Sequence, residues 1–458
     1  MGKEFSITPR NVPRIETKYR RIVTPLPHPD SVPTLEKLRQ FEPFSMCGQP
    51  PIVWDRAENI FVHDKYGNQW LDWSSGVLVA NVGHGAPEIR QAIIDQVNSG
   101  LLHNYVFPSE ERATLVEFLV GLTPKPLNKV FLLTTGSEAT ECAIKLARTY
   151  GIKKGGRKKI GIVGYERGFH GRTLGALQAG GLTGGKAWIV NDDPAILNAP
   201  FPDGYWQPDT SFDTFLGAIK KRGLEPDDVA GVMMETYQGV GPDFAPVEYV
   251  RALADFCRKH DALLIFDEVQ AGFGRTGKFW AFEHYGVVPD LICCGKGISS
   301  SLPLSAVIGR ADVMDLFPPG SLSSTHTGNP VCCAAALANL KKMVKENVTA
   351  NAARLEPVLL DGLKKIQRKH PQIIGHVTAR GLVGGLQTVK PGTKEPDNDL
   401  AHDIIERCFH KGLLFFAPVG AWGQTVKISP PLTIPRDALE EGLAVLSEAT
   451  DEAVAAHK

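Results

Sequence analysis

The chain has 458 residues, 50 basic against 50 acidic, and a mean hydropathy of −0.10. That balance carries no nucleic-acid or anionic-membrane footprint, and no apolar run approaches the ~18 residues of a membrane span. The length allows a sizeable core and about three domains. Eight cysteines, among them Cys293-Cys294 and Cys332-Cys333 with apolar flanks, lack zinc or redox spacing. They read as buried free thiols of a reducing compartment. With no apolar core of a signal peptide near the N-terminus, the expectation is a cytoplasmic protein without a metal site.

Residues 1–50 are proline-rich and read as an extended arm with one short helix near Leu35–Phe41. Alternation at Ile52–Trp54, Ile60–Val62 and Trp70–Trp73, with a turn at Lys65–Asn68, predicts a small antiparallel meander. Arm and meander make a first segment, residues 1–75. From there the spacing predicts helices over 86–97, 109–122, 137–150 and 247–260. Strands are expected at 129–134, 159–165, 229–235, 262–266, 291–294 and 304–308. Strands alternating with helices predict an α/β domain with a mostly parallel sheet over residues 76–345. A basic stretch, Lys153-Lys154 and Arg157-Lys158-Lys159, reads as a solvated loop. Helices at 351–369, 399–411 and 436–455, with strands at 384–389, 413–416 and 426–428, predict a small α+β C-terminal domain, residues 346–458.

Three stretches carry chemistry. The apolar run Ala262–Phe266 ends at Asp267, and Leu291–Cys294 ends two residues before Lys296. Open α/β sheets bind ligands at the carboxyl ends of their strands. One acid and one amine there suit pyridoxal 5'-phosphate (PLP), whose aldehyde takes a lysine and whose ring nitrogen takes a carboxylate partner. Next, Thr134-Thr135-Gly136-Ser137-Glu138 joins a strand to a helix start, where backbone N–H groups form an anion site. Ser137 is expected to cap that helix. The third stretch, Gly168-Phe169-His170-Gly171-Arg172-Thr173, follows another strand. Phe169 or His170 suits stacking on a flat ring, and Arg172 suits a carboxylate fork.

Gly136-Ser137-Glu138-Ala139, Gly168 to Thr173, Asp267-Glu268-Val269-Gln270 through Gly277, and Pro289-Asp290-Leu291 to Lys296 together resemble the class III aminotransferases. The family includes 4-aminobutyrate and ornithine aminotransferases. The resemblance implies the aspartate-aminotransferase-like, PLP-dependent transferase fold, with a mostly parallel seven-stranded sheet. It makes Lys296 the Schiff-base lysine and Asp267 the partner of the pyridine nitrogen. Gln270 then reaches the ring oxygen, Val269 and Phe169 cover the two ring faces, and Gly136 and Ser137 bind the phosphate. His170 and Glu235 join the cofactor site, and Thr325 reaches the phosphate of a partner subunit. A homodimer with shared active sites follows, with a tetramer left open.

Two positions leave the family pattern. Members that use 2-oxoglutarate carry an acid where this chain has Val240, and an arginine where it has Lys427. Lysine is a point charge without the planar fork of arginine. The expectation is therefore an aminotransferase for an amino acid or amine, most simply an ω-amino acid whose distal carboxylate Arg172 takes, and a keto-acid acceptor not fixed as 2-oxoglutarate. Val240 and Lys427 are the other substrate candidates. The same scaffold hosts racemases, epimerases and a decarboxylase. A catalytically silent binding protein is the remaining alternative, against which Lys296, Asp267 and Gln270 all stand.

Overall fold

The computed structural model describes residues 3–457, and it divides into two compact units. One contains Pro87–Gly239 and Asp243–Asn347. Its centre is a seven-stranded sheet in the order Lys129–Leu133, Ser305–Gly309, Leu291–Cys294, Leu263–Asp267, Val229–Glu235, Gly161–Tyr165, Ile196–Ala199. Ser305–Gly309 runs antiparallel to both its neighbours, and the remaining pairings are parallel. The expected mostly parallel sheet is therefore observed. Its seventh strand, Ile196–Ala199, is short, contains Asn198 and stops before Pro200, so the alternation hardly marks it.

The four strands from Val229–Glu235 to Ser305–Gly309 are buried on both faces, as expected where helices cover a sheet. Against one face lies the helix Gly136–Gly155, which buries Ala139, Cys142, Ala143, Leu146 and Ala147 at helical spacing. These side chains pack with Met233, Ile265, Cys293 and Val307 from four neighbouring strands. Full burial of a side chain such as Leu146 contributes about 1.5–3 kcal/mol. Lys153 and Lys154 lie in the last turn of that helix, where cations offset its dipole. Lys159 departs from the expected solvated loop. It is buried, and its Nζ donates to the carbonyls of Asp227 at 2.9 Å and His260 at 2.5 Å.

The other unit contains the chain up to Ala86, Val240–Pro242 and Val348 onward. Its meander begins at Arg56–Glu58 rather than at Ile52, and continues through Phe61–His63 and Gln69–Asp72. Leu413–Leu414 adds to Gln69–Asp72 in parallel. Trp70 stacks on Phe409 with centroids 5.5 Å apart. A three-stranded antiparallel sheet, Ile374–Arg380, Val383–Thr388 and Thr425–Ile428, lies beside helices Val348–Lys369 and Asn398–His410. Ile374–Arg380 went unread because Gly375, His376 and Arg380 break its apolar pattern. No helix among the described residues is long and apolar enough to cross a membrane. All eight cysteines are free, six of them buried.

Candidate active site

Sheet register assembles the site. Asp267 lies opposite Glu235 on one side and Cys293 on the other. Both acids therefore reach the carboxyl edge of the parallel strands together, and Lys296 follows three residues after Cys293. The adjoining strand, Gly161–Tyr165, ends just before the loop carrying Gly168 to Gly171. A cleft opens at this edge. Its lining is Gly136, Ser137, Phe169, His170 and Gly171, with Glu235, Asp267, Val269, Gln270 and Lys296.

Each charged group has a defined setting. Asp267 is buried and accepts hydrogen bonds from the Val269 N–H at 3.0 Å and His170 Nδ1 at 2.7 Å. Burial alone lowers the pKa of His170, but the hydrogen bond to Asp267 and its charge outweigh it and raise the imidazole above its ordinary value. His170 is thus Asp267's partner, and Phe169 is the aromatic residue left to face a ring. Lys296 keeps limited exposure and is otherwise enclosed, and it lines the cleft. Burial lowers its pKa against the opposing pull of Asp267 and Glu235, which favours the free amine. Its φ of +46° is unusual for a residue with a side chain. Asn339, wholly buried, holds the turn that follows by donating to the carbonyls of Gly297 and Ile298, each at 2.9 Å.

The helix N-terminus differs in one detail from expectation. Thr135, not Ser137, caps it: Thr135 Oγ1 accepts the Glu138 N–H at 3.2 Å, and Glu138 accepts back from the N–H groups of Thr134 and Thr135. Ser137 sits one turn-step inside, where its side chain packs on Gly171. A β-carbon at Gly136 would come within 2.9 Å of Val269 Cγ1, so glycine brings the helix start up to the cleft wall.

Two further residues escaped the sequence reading. Thr140 Oγ1 donates to the His170 carbonyl at 2.8 Å. Glu141 accepts from Thr173 Oγ1 and the N–H groups of Gly175 and Ala176 at 2.6–3.0 Å, which caps the helix Leu174–Ala179. Both lie on the helix that opens at Gly136 and fix the loop bearing Phe169 and His170. The only hint was their place, three and four residues after Ser137.

Other expected site residues lie outside the lining. Arg172 is exposed, with its guanidinium 5.7 Å from the Phe169 ring centroid. Thr325 is exposed as well. Lys427 is buried on Thr425–Ile428, opposite Gly385, and belongs with Val240 to the other unit.

The donor set fits PLP. A helix start suits its phosphate, Val269 and Phe169 offer apolar walls, Asp267 offers an anion and Lys296 an amine. Among the described residues no cluster of metal-ligating side chains occurs.

Comparison with known proteins agrees with this chemistry. The class III aminotransferase profile matches residues 45–450. The 4-aminobutyrate aminotransferase of Mycobacterium leprae is 34% identical over 93% of this chain and 97% of its own length. A 5-aminovalerate aminotransferase of Pseudomonas putida is 34% identical over 87% of this chain and 93% of its own. Among solved structures, a PLP-bound amine transaminase from an uncultivated Pseudomonas species superposes with a TM-score of 0.80 at 27% identity. It covers 88% of this chain and 95% of its own.

Proposed function

Since the chain belongs to the class III aminotransferases and is thus a PLP-dependent enzyme moving an amino group from a donor to a keto acid, we propose that it acts on an ω-amino acid, with Lys296 and Asp267 as its catalytic residues. The carrying observation is the shared strand edge, where buried Asp267 and amine-favouring Lys296 line one cleft. The two relatives above, named for 4-aminobutyrate and 5-aminovalerate, support the substrate class.

Bound PLP supplies an aldehyde that condenses with amines and a ring that withdraws electrons from the amino-bearing carbon. Lys296 Nζ would hold that aldehyde. As a neutral amine, Lys296 Nζ would also be the base that takes the proton from the amino-bearing carbon of the substrate and hands it back. Asp267, oriented by His170, would partner the ring nitrogen and hold a proton there. Gly136 and Ser137 bind the phosphate, Gln270 serves the ring oxygen, and Phe169 and Val269 exclude water from the ring faces. Arg172, exposed beside Phe169, takes the carboxylate at the far end of the substrate. Thr325 serves the phosphate of a partner in a homodimer. Free, mostly buried thiols support a reducing, cytoplasmic setting.

The test mixes holoenzyme with a panel of ω-amino acids, α-amino acids and simple amines, without keto acid. Stoichiometric conversion of the cofactor to its amine form is expected, fastest with ω-amino acids. Cα-proton exchange or inversion with no such conversion is the outcome that sinks the aminotransferase reading. Lys296→Ala should lower kcat by about 10⁴ or more.

A further inference from the structure

Glu235 poses a question that cofactor binding alone does not answer. It is a buried carboxylate, 5% exposed, at the end of Val229–Glu235. No ion pair with a lysine or arginine accompanies it among the described residues. A buried carboxylate held only by neutral donors is costly. Burial accordingly pushes its pKa up to about 7, opposed by the charge of His170. An isosteric glutamine would avoid that cost, so the site needs something that only a carboxylate provides.

The hydrogen bonds show what it is. Glu235 Oε2 accepts the Phe169 N–H at 2.9 Å, and Oε1 accepts the Gly239 N–H at 2.8 Å. These donors belong to two separate loops. Glutamine has one acceptor oxygen; its NH₂ group would face the second N–H, leaving a buried donor unsatisfied. The turn that Glu235 holds is also the seat of Gln270. A β-carbon at Gly239 would lie 2.1 Å from Gln270 Nε2 and 2.8 Å from Glu235 Oε1. One carboxylate thus fixes the backbone of the residue facing the ring and the backbone against which Gln270 rests. A second tie runs parallel, from Gln238 Nε2 to the Glu166 carbonyl at 2.7 Å.

We propose that Glu235 is a positioning residue, a two-oxygen clasp that locks the Phe169 loop to the Gly239 turn and so sets the spacing of Phe169 and Gln270 for the cofactor ring. The proposal rests on the PLP reading of the cleft. It assigns Glu235 to the protein framework behind the ring, acting through Phe169 and Gln270.

Hydrogen exchange followed by mass spectrometry on the apoprotein tests the clasp without any cofactor. In Glu235→Gln, peptides spanning residues 167–172 and 237–241 should both exchange about tenfold faster, while the rest of the sheet exchanges as in the wild type. PLP titration of the same variant should show about tenfold weaker binding, and the visible circular dichroism of the bound cofactor should fall because its ring is held less uniformly. Unchanged exchange in both peptides overturns the clasp. Faster exchange with unaltered PLP affinity and dichroism also overturns it, since the loops would then not set the ring. The Gln238 tie favours a folded variant. If Glu235→Gln still does not fold, Glu235→Asp keeps both acceptors on a shorter arm and should speed exchange in the same two peptides; no change there likewise rejects the idea. A wild-type protein that binds no PLP, by contrast, removes the cofactor reading and leaves the exchange result standing.

Discussion

Asp267 and Lys296 are both enclosed, yet the protein treats them in opposite ways. Asp267 receives two hydrogen bonds, one from an imidazole whose pKa it raises. Lys296 is left where burial lowers its pKa and frees its lone pair. Placing the two on neighbouring strand ends separates an electron-withdrawing role from a proton-transfer role. The sequence offers Lys427 as a substrate candidate, because family members that use 2-oxoglutarate carry arginine at that position. A buried lysine holds a carboxylate through one point charge, whereas arginine gives two parallel bonds. Lys427→Arg should therefore lower KM for 2-oxoglutarate by about tenfold, as one added charge-assisted hydrogen bond warrants. Steady-state kinetics with a fixed amino donor checks this; an unchanged KM would place Lys427 away from the substrate carboxylate.

Local backbone conformation carries its own cost. Ser75, Gly76, Val77 and Leu78 all have positive φ, from 50° to 64°. Such a left-handed turn costs roughly 1–2 kcal/mol for each residue with a side chain. It survives because its neighbours hold it. Ser75 Oγ donates to the Ser429 carbonyl at 2.6 Å, and Asp72 accepts from Ser74 and pairs with His84 at 2.7 Å. Val77 is 45% exposed, so its side chain returns little packing for that strain. Val77→Gly should raise stability by about 1 kcal/mol in chemical denaturation, and a fall would show that the valine packs in solution. Helix Asn398–His410 offers a pH test. Burial, then the charges of Arg10 and Arg407, push His410 down to about 4. The unfolded chain therefore binds this proton more readily, and the stabilisation is complete above the ordinary histidine pKa and is lost as pH falls toward 4. Between pH 7 and pH 5 the loss should be on the order of 2 kcal/mol. His410→Gln should flatten that slope, read from urea midpoints; an equal slope would assign it to other groups. Neither feature was legible in the sequence: positive φ at Val77 contradicts its residue type, and the burial of His410 and the charge of Arg10 beside it depend on tertiary structure.

For the whole molecule, the open matter is assembly. Thr325 is exposed and lies outside the cleft lining of its own chain. Leu102, Tyr105, Val106 and Phe107 form an apolar stretch of which Phe107 is 72% exposed. The Asn329 side chain donates to the Leu102 carbonyl at 2.8 Å, which links that stretch to the segment bearing Thr325. Light scattering should give twice 49.8 kDa. Thr325→Ala should weaken PLP binding by about tenfold while the dimer persists, as loss of one hydrogen bond to a charged group implies. Mixing it with Lys296→Ala should regenerate sites intact in both residues. A monomer, or no regained activity on mixing, would rule out the shared site.

By itself the sequence determined the α/β class, the strand ends that deliver Asp267 and Lys296, the strand-to-helix turn at Gly136 and the family. Those signals are local: apolar runs buried on both faces, and small residues where a helix meets a strand. It could not show that Thr135 is the cap, that His170 belongs to Asp267, or that Glu235 joins two loops. Each depends on which backbone N–H or ring nitrogen arrives beside a given oxygen, and only register between strands distant in sequence decides that. The short edge strand Ile196–Ala199 was invisible for the same reason. Pairing with Gly161–Tyr165 forms it, because a four-residue segment carries too little pattern to declare itself.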